Sequence, residues 1–187
     1  APDPVHTLDA MASGERVVLS SSSLTDIVLK WTPTTAHGNT VYRYEVLIDT
    51  IGGDFTNPVE ISLSDNNGLE PQLTLSHYQA NAIGKLAKFR CNTNGTLRWK
   101  VRAYCGLDDS ISSLEGFFVI FMMDGIDNIP SEDEPIYITG AGTEDNGDET
   151  RALQMLRQDD GIYQTFVRLK ANQPYVFMAN VGGQKCY

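Results

Sequence analysis

The chain has 187 residues, of which 24 are acidic and 14 are basic, giving a formal net charge of −10 and an isoelectric point of about 4.6. Such a chain repels nucleic acid and anionic membrane surfaces, because binding to either depends on clustered lysine and arginine. Its hydrophobic fraction of 41% is enough for a packed core, which excludes wholesale disorder, and no apolar run reaches the roughly 18 residues of a membrane-spanning helix.

The N-terminal part of the chain predicts a leader followed by short strands. Residues 1–16 are interpreted as an extended leader, and residues 17–19 as a first strand. Residues 26–31 alternate apolar and polar side chains, which is typical of a strand. Pro33 ends this strand because proline has no N–H to donate to a neighbouring strand. The same alternation over residues 42–48 predicts a third strand.

One helix is predicted, and it follows a fourth strand around residues 59–63. Ser76 stands where it can cap the first turn of this helix, and Gln79 three residues later completes a capping box. The residues expected to share one apolar face of the helix are Tyr78, Ala82, Ile83 and Leu86.

Residues 96–105 give the clearest strand signal in the chain. The apolar residues that alternate with polar ones are Leu97, Trp99, Val101, Ala103 and Cys105. A period of two over ten positions is typical of a strand with one buried and one solvated face. Trp99, and Trp31 on the earlier strand, both fall at inward positions, so both are predicted to be buried between two sheets.

The remaining pattern predicts an all-β protein in two parts. Residues 117–123 are consecutively apolar, which predicts a strand buried on both faces. Residues 1–123 are therefore expected to form an antiparallel β-sandwich with one short helix. The acidic, proline-bearing residues 124–135 indicate a linker, and residues 136–187 a second small β unit, with 161–169 as a strong strand. This second unit is either a partial module or one that completes its core against the first.

The three cysteines are predicted to be free thiols without metal-ligand spacing. Cys91 precedes the turn into the central strand, and Cys105 ends that strand. At about 3.3 Å per residue, the two lie too far apart for a disulfide unless the segment before Cys91 folds back along the strand.

No set of residues points to catalysis or to a metal. His6, His37 and His77 are isolated, with no serine or cysteine beside them in a nucleophile turn. Residues 144–149 could offer oxygen ligands to calcium, but they lack EF-hand spacing, and a solvated turn is favoured. Residues 52–55 spell part of a cyclase signature, but a glycine-rich loop after a strand is favoured. We therefore predict no enzymatic activity, no cofactor and no metal.

Two family resemblances can be stated on these residues. Residues 27–33, 42–46 and 99–103 resemble the B, C and F strands of a fibronectin type III domain, which implies an immunoglobulin-like or fibronectin type III-like sandwich. The second resemblance rests on many short segments that occur in one order along most of the chain: 44–49, 52–55, 75–77, 97–103, 129–130, 136–140, 152–155, 161–163 and 169–171. Together these resemble the SusE/SusF family of surface starch-binding lipoproteins from Bacteroidetes.

The second resemblance implies a function as well as a fold. Family members are expected to bind malto-oligosaccharides without cleaving them, with the N-terminal domain as a spacer and later β modules as glycan binders. The implied location is the outer surface of the outer membrane, through a lipid anchor that this chain does not contain. The implied partners are a polysaccharide or oligosaccharide and other outer-membrane proteins of glycan uptake. The alternative is a structural or protein-interaction module that binds no carbohydrate itself.

Within this chain the best carbohydrate-binding candidates lie in the second unit. Oligosaccharide sites combine an aromatic face that stacks on a sugar ring with polar groups that bind hydroxyls. The candidates, expected on neighbouring strands, are Tyr163, Arg168, Tyr175 and Asn180. Because successive residues of a strand alternate faces, Tyr163 and Arg168 would lie on opposite sides of one strand. Weak or absent binding of maltoheptaose is therefore predicted.

Overall fold

The protein is described here from a computed structural model. The residues that it describes are 1–35, 41–124, 135–159, 162–181 and 184–187. His37 and nearly all of the predicted linker 124–135 lie outside these ranges. Packing separates the described chain into two compact units. The first comprises Ala1–Phe89 and Asn94–Met122, and the second Arg90–Thr93 and Met123–Tyr187.

The first unit is built from two β-sheets, as the alternating pattern predicts. In chain order its strands are β1 (Leu8–Ala10), β2 (Glu15–Val18), β3 (Ile27–Trp31), β4 (Arg43–Thr50), β5 (Glu60–Leu63), β6 (Gln72–Leu75), β7 (Asn94–Cys105), β8 (Asp108–Ile111) and β9 (Gly116–Phe121). One sheet has the order β1-β3-β6, and the other the order β2-β9-β7-β4-β5, with β8 also paired to β7. All pairs are antiparallel except β2 with β9. This arrangement confirms the predicted all-β sandwich.

The central strand is β7, which pairs with β4 along eight residue pairs and with β9 on its other side. Its inward residues from Leu97 to Ala103 are buried without exception. Trp31 and Trp99 are both buried, with ring centroids 6.2 Å apart. The Trp99 indole N–H donates to the Met11 carbonyl oxygen at 2.7 Å. The predictions for this strand and for both tryptophans are confirmed.

The interpretation of residues 1–16 as a leader is wrong. Leu8–Ala10 forms a strand paired with β3, and Val5 is buried. The Thr32 N–H donates to the Thr7 carbonyl oxygen at 3.1 Å, which extends the pairing. A strand of three residues is too short to show a period of two, so the sequence pattern gave no signal there.

The helix spans His77–Leu86 and begins as predicted. The Ser76 hydroxyl accepts from the Gln79 N–H, and the Gln79 side chain accepts from the Ser76 N–H, which confirms the capping box. Of the predicted apolar face, only Ile83 lies on the inward side of the helix. The residues of the helix that are buried are His77, Ala80, Asn81, Ile83 and Gly84, whereas Tyr78, Ala82 and Leu86 are exposed. Small residues face the sheet here because a side chain at Gly84 would overlap the buried Met122.

The expectation that residues 117–123 are buried on both faces is also wrong. Phe118, Ile120 and Met122 are buried, but Phe117 is 43% exposed. The other face is covered only in part. Phe117 packs against Gly14, and the Arg16 guanidinium lies 5.2 Å from the centroid of the Phe121 ring.

The second unit contains two further sheets. Its strands are β10 (Ile136–Thr139), β11 (Leu153–Gln154), β12 (Leu156–Asp159), β13 (Ile162–Gln164), β14 (Val176–Val181) and β15 (Gln184–Cys186). Four of them form an antiparallel sheet in the order β11-β10-β14-β15, and β12 pairs with β13. The predicted long strand over 161–169 is wrong, because β13 ends at Gln164. Beyond it, the Arg168 and Lys170 amides donate to Glu144 Oε1 and to the Gly142 carbonyl oxygen instead.

The cysteine prediction is wrong as well. Cys91 and Cys186 form a disulfide, with Cα atoms 6.2 Å apart, whereas Cys105 is free. Both bonded cysteines belong to the second unit, because residues 90–93 are packed there although they precede β7 in the chain. The distance between Cys91 and Cys105 along one strand carries no information about a partner 95 residues away.

Candidate functional site

The four predicted carbohydrate-binding residues do not lie on neighbouring strands. Tyr163 is on β13, which pairs only with β12 among the described strands. Tyr175 precedes β14, and Asn180 lies on β14, which belongs to the four-stranded sheet. Arg168 is exposed in the irregular segment after β13. The side chain of Asn180 lies outside the described part of the chain, so no contact is assigned to it.

Tyr175 is the candidate with an accessible ring. Its side chain is 46% exposed, and its ring meets that of Phe177 nearly edge-on, with centroids 6.0 Å apart and planes at 80°. Phe177 points to the same side of the strand and is also partly exposed. An exposed aromatic ring that is braced by another ring suits stacking on the apolar side of a sugar.

The acidic loop that could have suggested calcium is organised around a buried carboxylate. Asp145 Oδ1 accepts from the Thr143 hydroxyl and from the Gly147 amide at 3.0 Å. Burial alone would raise the pKa of Asp145, but the Thr139 and Thr143 hydroxyls and the Gly147 and Gly140 amides stabilise the carboxylate and lower this pKa to about 2. Among the described residues, no group of three His, Cys, Asp or Glu side chains could hold a metal ion. The hydrogen bonds of Asp145 Oδ1 come from donors of its own loop.

A shallow cleft lies beside this loop. Its volume is about 130 Å³, and the residues that line it are Ile138, Thr143, Glu144, Asp145, Arg151, Leu153 and Val167. None of the four predicted residues is among them. Ligand sites for whole small molecules are usually about 300 Å³ or larger. The cleft could accept no more than a small polar group, and the only sequence signal at its lining is the acidic segment 144–149.

The two histidines in the described part of the chain are not placed for catalysis. His77 is buried at the start of the helix, where its Nδ1 accepts the Ser20 N–H at 3.0 Å. His6 is exposed and lines a shallow depression formed by Thr7, Thr32 and neighbouring residues. The role of His77 is therefore to satisfy a backbone donor.

Comparison with known protein families shows to which family the chain belongs. The family model described as SusE outer membrane protein matches residues 1–102, more than half of the 187 residues. The chain belongs to the SusE outer membrane protein family. This confirms the resemblance that the sequence motifs indicated. No curated protein sequence matches the chain.

Membership in the SusE family indicates a surface protein of a starch-utilisation system in the outer membrane. The matched region covers the first sandwich up to Arg102 on β7. All four candidate residues lie beyond it: Tyr163, Arg168, Tyr175 and Asn180. The match therefore concerns the first unit, and any role of the second unit has to be argued from its geometry alone. Within the described residues, no helix is long and apolar enough to cross a membrane.

Proposed function

We propose that this SusE-family chain is a non-catalytic, surface-exposed lipoprotein that binds starch or malto-oligosaccharides for a polysaccharide-utilisation system. The observation that carries the proposal is the family match over residues 1–102. In this proposal residues 1–123 form a spacer domain, 124–135 an acidic linker, and 136–187 the module that meets the glycan. Other outer-membrane proteins of glycan uptake are its proposed partners.

The proposed glycan contact is centred on Tyr175. Its exposed ring, braced by Phe177, is the only one of the four candidate side chains with both an accessible aromatic face and a described aromatic neighbour. Tyr163 lies in the separate two-stranded sheet, and Arg168 in the segment tied to Glu144. A single aromatic platform with few convergent polar groups predicts weak binding. The expected dissociation constant is in the millimolar range, which corresponds to a binding free energy of about −4 kcal/mol.

Retardation on native gels that contain amylopectin tests this proposal, and calorimetry with maltoheptaose measures the affinity. We expect slight retardation that Tyr175→Ala abolishes. The matched control is Tyr78→Ala, which removes a tyrosine that is 63% exposed on the helix of the first unit. This variant should behave as the unaltered protein does.

Four outcomes would contradict parts of the proposal. Equal loss of retardation in the Tyr175→Ala and Tyr78→Ala variants would mean that the proposed platform is wrong. A micromolar constant abolished by Tyr163→Ala would contradict both weak binding and the choice of Tyr175. No retardation on any glycan would favour a module that positions other domains or docks a partner protein. Release of shortened oligosaccharides from starch would overturn the non-catalytic role.

A further inference from the structure

The second unit is completed by a segment from elsewhere in the chain. Residues 90–93 lie between the helix and β7 in sequence, yet they pack within the second unit. Cys91 from this segment and Cys186 from β15 form the disulfide, and both are fully buried in a cluster with Ala179 of β14. The bond therefore joins β15 to the segment of the unit that is distant in sequence.

A carboxylate bridges the same two segments. Asp124 Oδ1 accepts from the Asn92 side-chain amide at 3.0 Å and from the Tyr187 N–H at 3.2 Å. Asn92 directly follows Cys91, and Tyr187 directly follows Cys186. The disulfide and the carboxylate thus hold adjacent residues of the same pair of segments.

Within the described residues, β15 has few other contacts. β15 has three residues and pairs only with β14 among the described strands. Lys185 forms an ion pair with Glu149, and the Tyr187 hydroxyl donates to Glu149 Oε1 at 2.8 Å. These contacts are exposed, and exposed ion pairs stabilise a structure weakly. The buried disulfide is therefore the main restraint on β15.

We propose that the Cys91–Cys186 disulfide is a redox-sensitive clamp, and that β15 and residues 90–93 are held in the second unit only when it is formed. The bond forms by exchange with an external disulfide. The two protein thiols lose two protons and two electrons, and the oxidant is reduced to two thiols. The second unit is therefore completed in an oxidising compartment, and a thiol reductant releases its C-terminal strand.

The pairing is tested first by cyanogen bromide cleavage of the full, unreduced chain. The chain contains methionine at 11, 122, 123, 155 and 178. Complete cleavage therefore places Cys91 and Cys105 in the fragment 12–122 and Cys186 in the fragment 179–187. We expect these two fragments to remain linked until reductant is added. The link should persist in Cys105→Ser and disappear in Cys91→Ser, and its absence from the unaltered protein would overturn the proposal.

The release of β15 is tested by amide hydrogen exchange of residues 185–187 in the full chain, with and without reductant. We expect exchange at least about tenfold faster after reduction, because a strand that can open locally exposes its amides. The amides of Leu97, Trp99 and Val101 on β7 provide the internal reference and should not change. Cys105→Ser should respond to reductant as the unaltered protein does. Equal exchange of residues 185–187 in the two states would overturn the clamp even if the disulfide forms.

Discussion

At the scale of single residues, the two tryptophans fill the space between the sheets of the first unit. Trp31→Ala or Trp99→Ala should each lower the free energy of unfolding by about 3–5 kcal/mol, because a large buried aromatic side chain would leave a cavity. Chemical denaturation measures this change, with Tyr78→Ala as a control that should stay within about 0.5 kcal/mol. Ready quenching of both tryptophans by a solute in the folded protein would contradict their burial.

Asp145 gives a pH-dependent prediction at the same scale. Its pKa of about 2 in the folded protein lies below the ordinary 3.8, so its carboxylate stabilises the fold above about pH 4. This contribution is lost as the pH falls through about 2. Asp145→Asn should therefore lower the free energy of unfolding by about 1–3 kcal/mol at pH 7, and the difference from the unaltered protein should shrink between about pH 4 and pH 2. Asp26→Asn, at an exposed position, is the control; a pH-independent difference at Asp145 would contradict the argument.

At the scale of elements, sequence patterns succeeded where an element is long or carries a local chemical signature. β7 has a period of two over ten residues, and the helix has the Ser76–Gln79 capping box, so both could be predicted. β1 could not, because three residues show no period. Apart from Ile83, the inward face of the helix could not either, since its other residues are small or polar and their burial depends on the sheet beneath.

The helix face can be tested by adding bulk to either side. Gly84→Leu should destabilise the protein by about 1–3 kcal/mol, because the new side chain would overlap the buried Met122 and Ile120. Ala82→Leu is the matched control on the exposed side of the same helix, and it should change stability by less than about 0.5 kcal/mol. Thermal and chemical unfolding of both variants measure the difference. The reverse order of effects would mean that the apolar pattern of the sequence had identified the correct face.

At the scale of the whole molecule, the class of fold and the family could be predicted, but the assembly of the second unit could not. Both predictions rest on features that are read along the sequence, namely the alternation of apolar and polar residues and the order of short motifs. The disulfide joins residues 95 apart, and nothing in the sequence around Cys91 marks Cys186 as its partner. The relative positions of the candidate residues also depend on pairing that is not local. The sequence predicts Tyr163 and Tyr175 on neighbouring strands because a turn at residues 171–174 separates two apolar stretches, whereas the pairing of β13 with β12 puts Tyr163 in another sheet.

The disulfide also bears on the stability of the molecule. A bond across a separation of 95 residues removes conformational entropy from the unfolded chain. The resulting stabilisation of the folded state is typically about 2–4 kcal/mol, with an upper value near 4.7 kcal/mol for a loop of this length. The Cys91→Ser/Cys186→Ser double variant should therefore unfold at a lower denaturant concentration than Cys105→Ser, which retains the bond. Because the described chain has two units, we expect the loss of stability in the unfolding of the second unit. Amide exchange at β10 and β14 reports this unfolding, and the amides of β7 should stay protected. Equal unfolding midpoints for the double variant and Cys105→Ser would mean that contacts such as those of Asp124 and Glu149 hold the unit without the covalent bond.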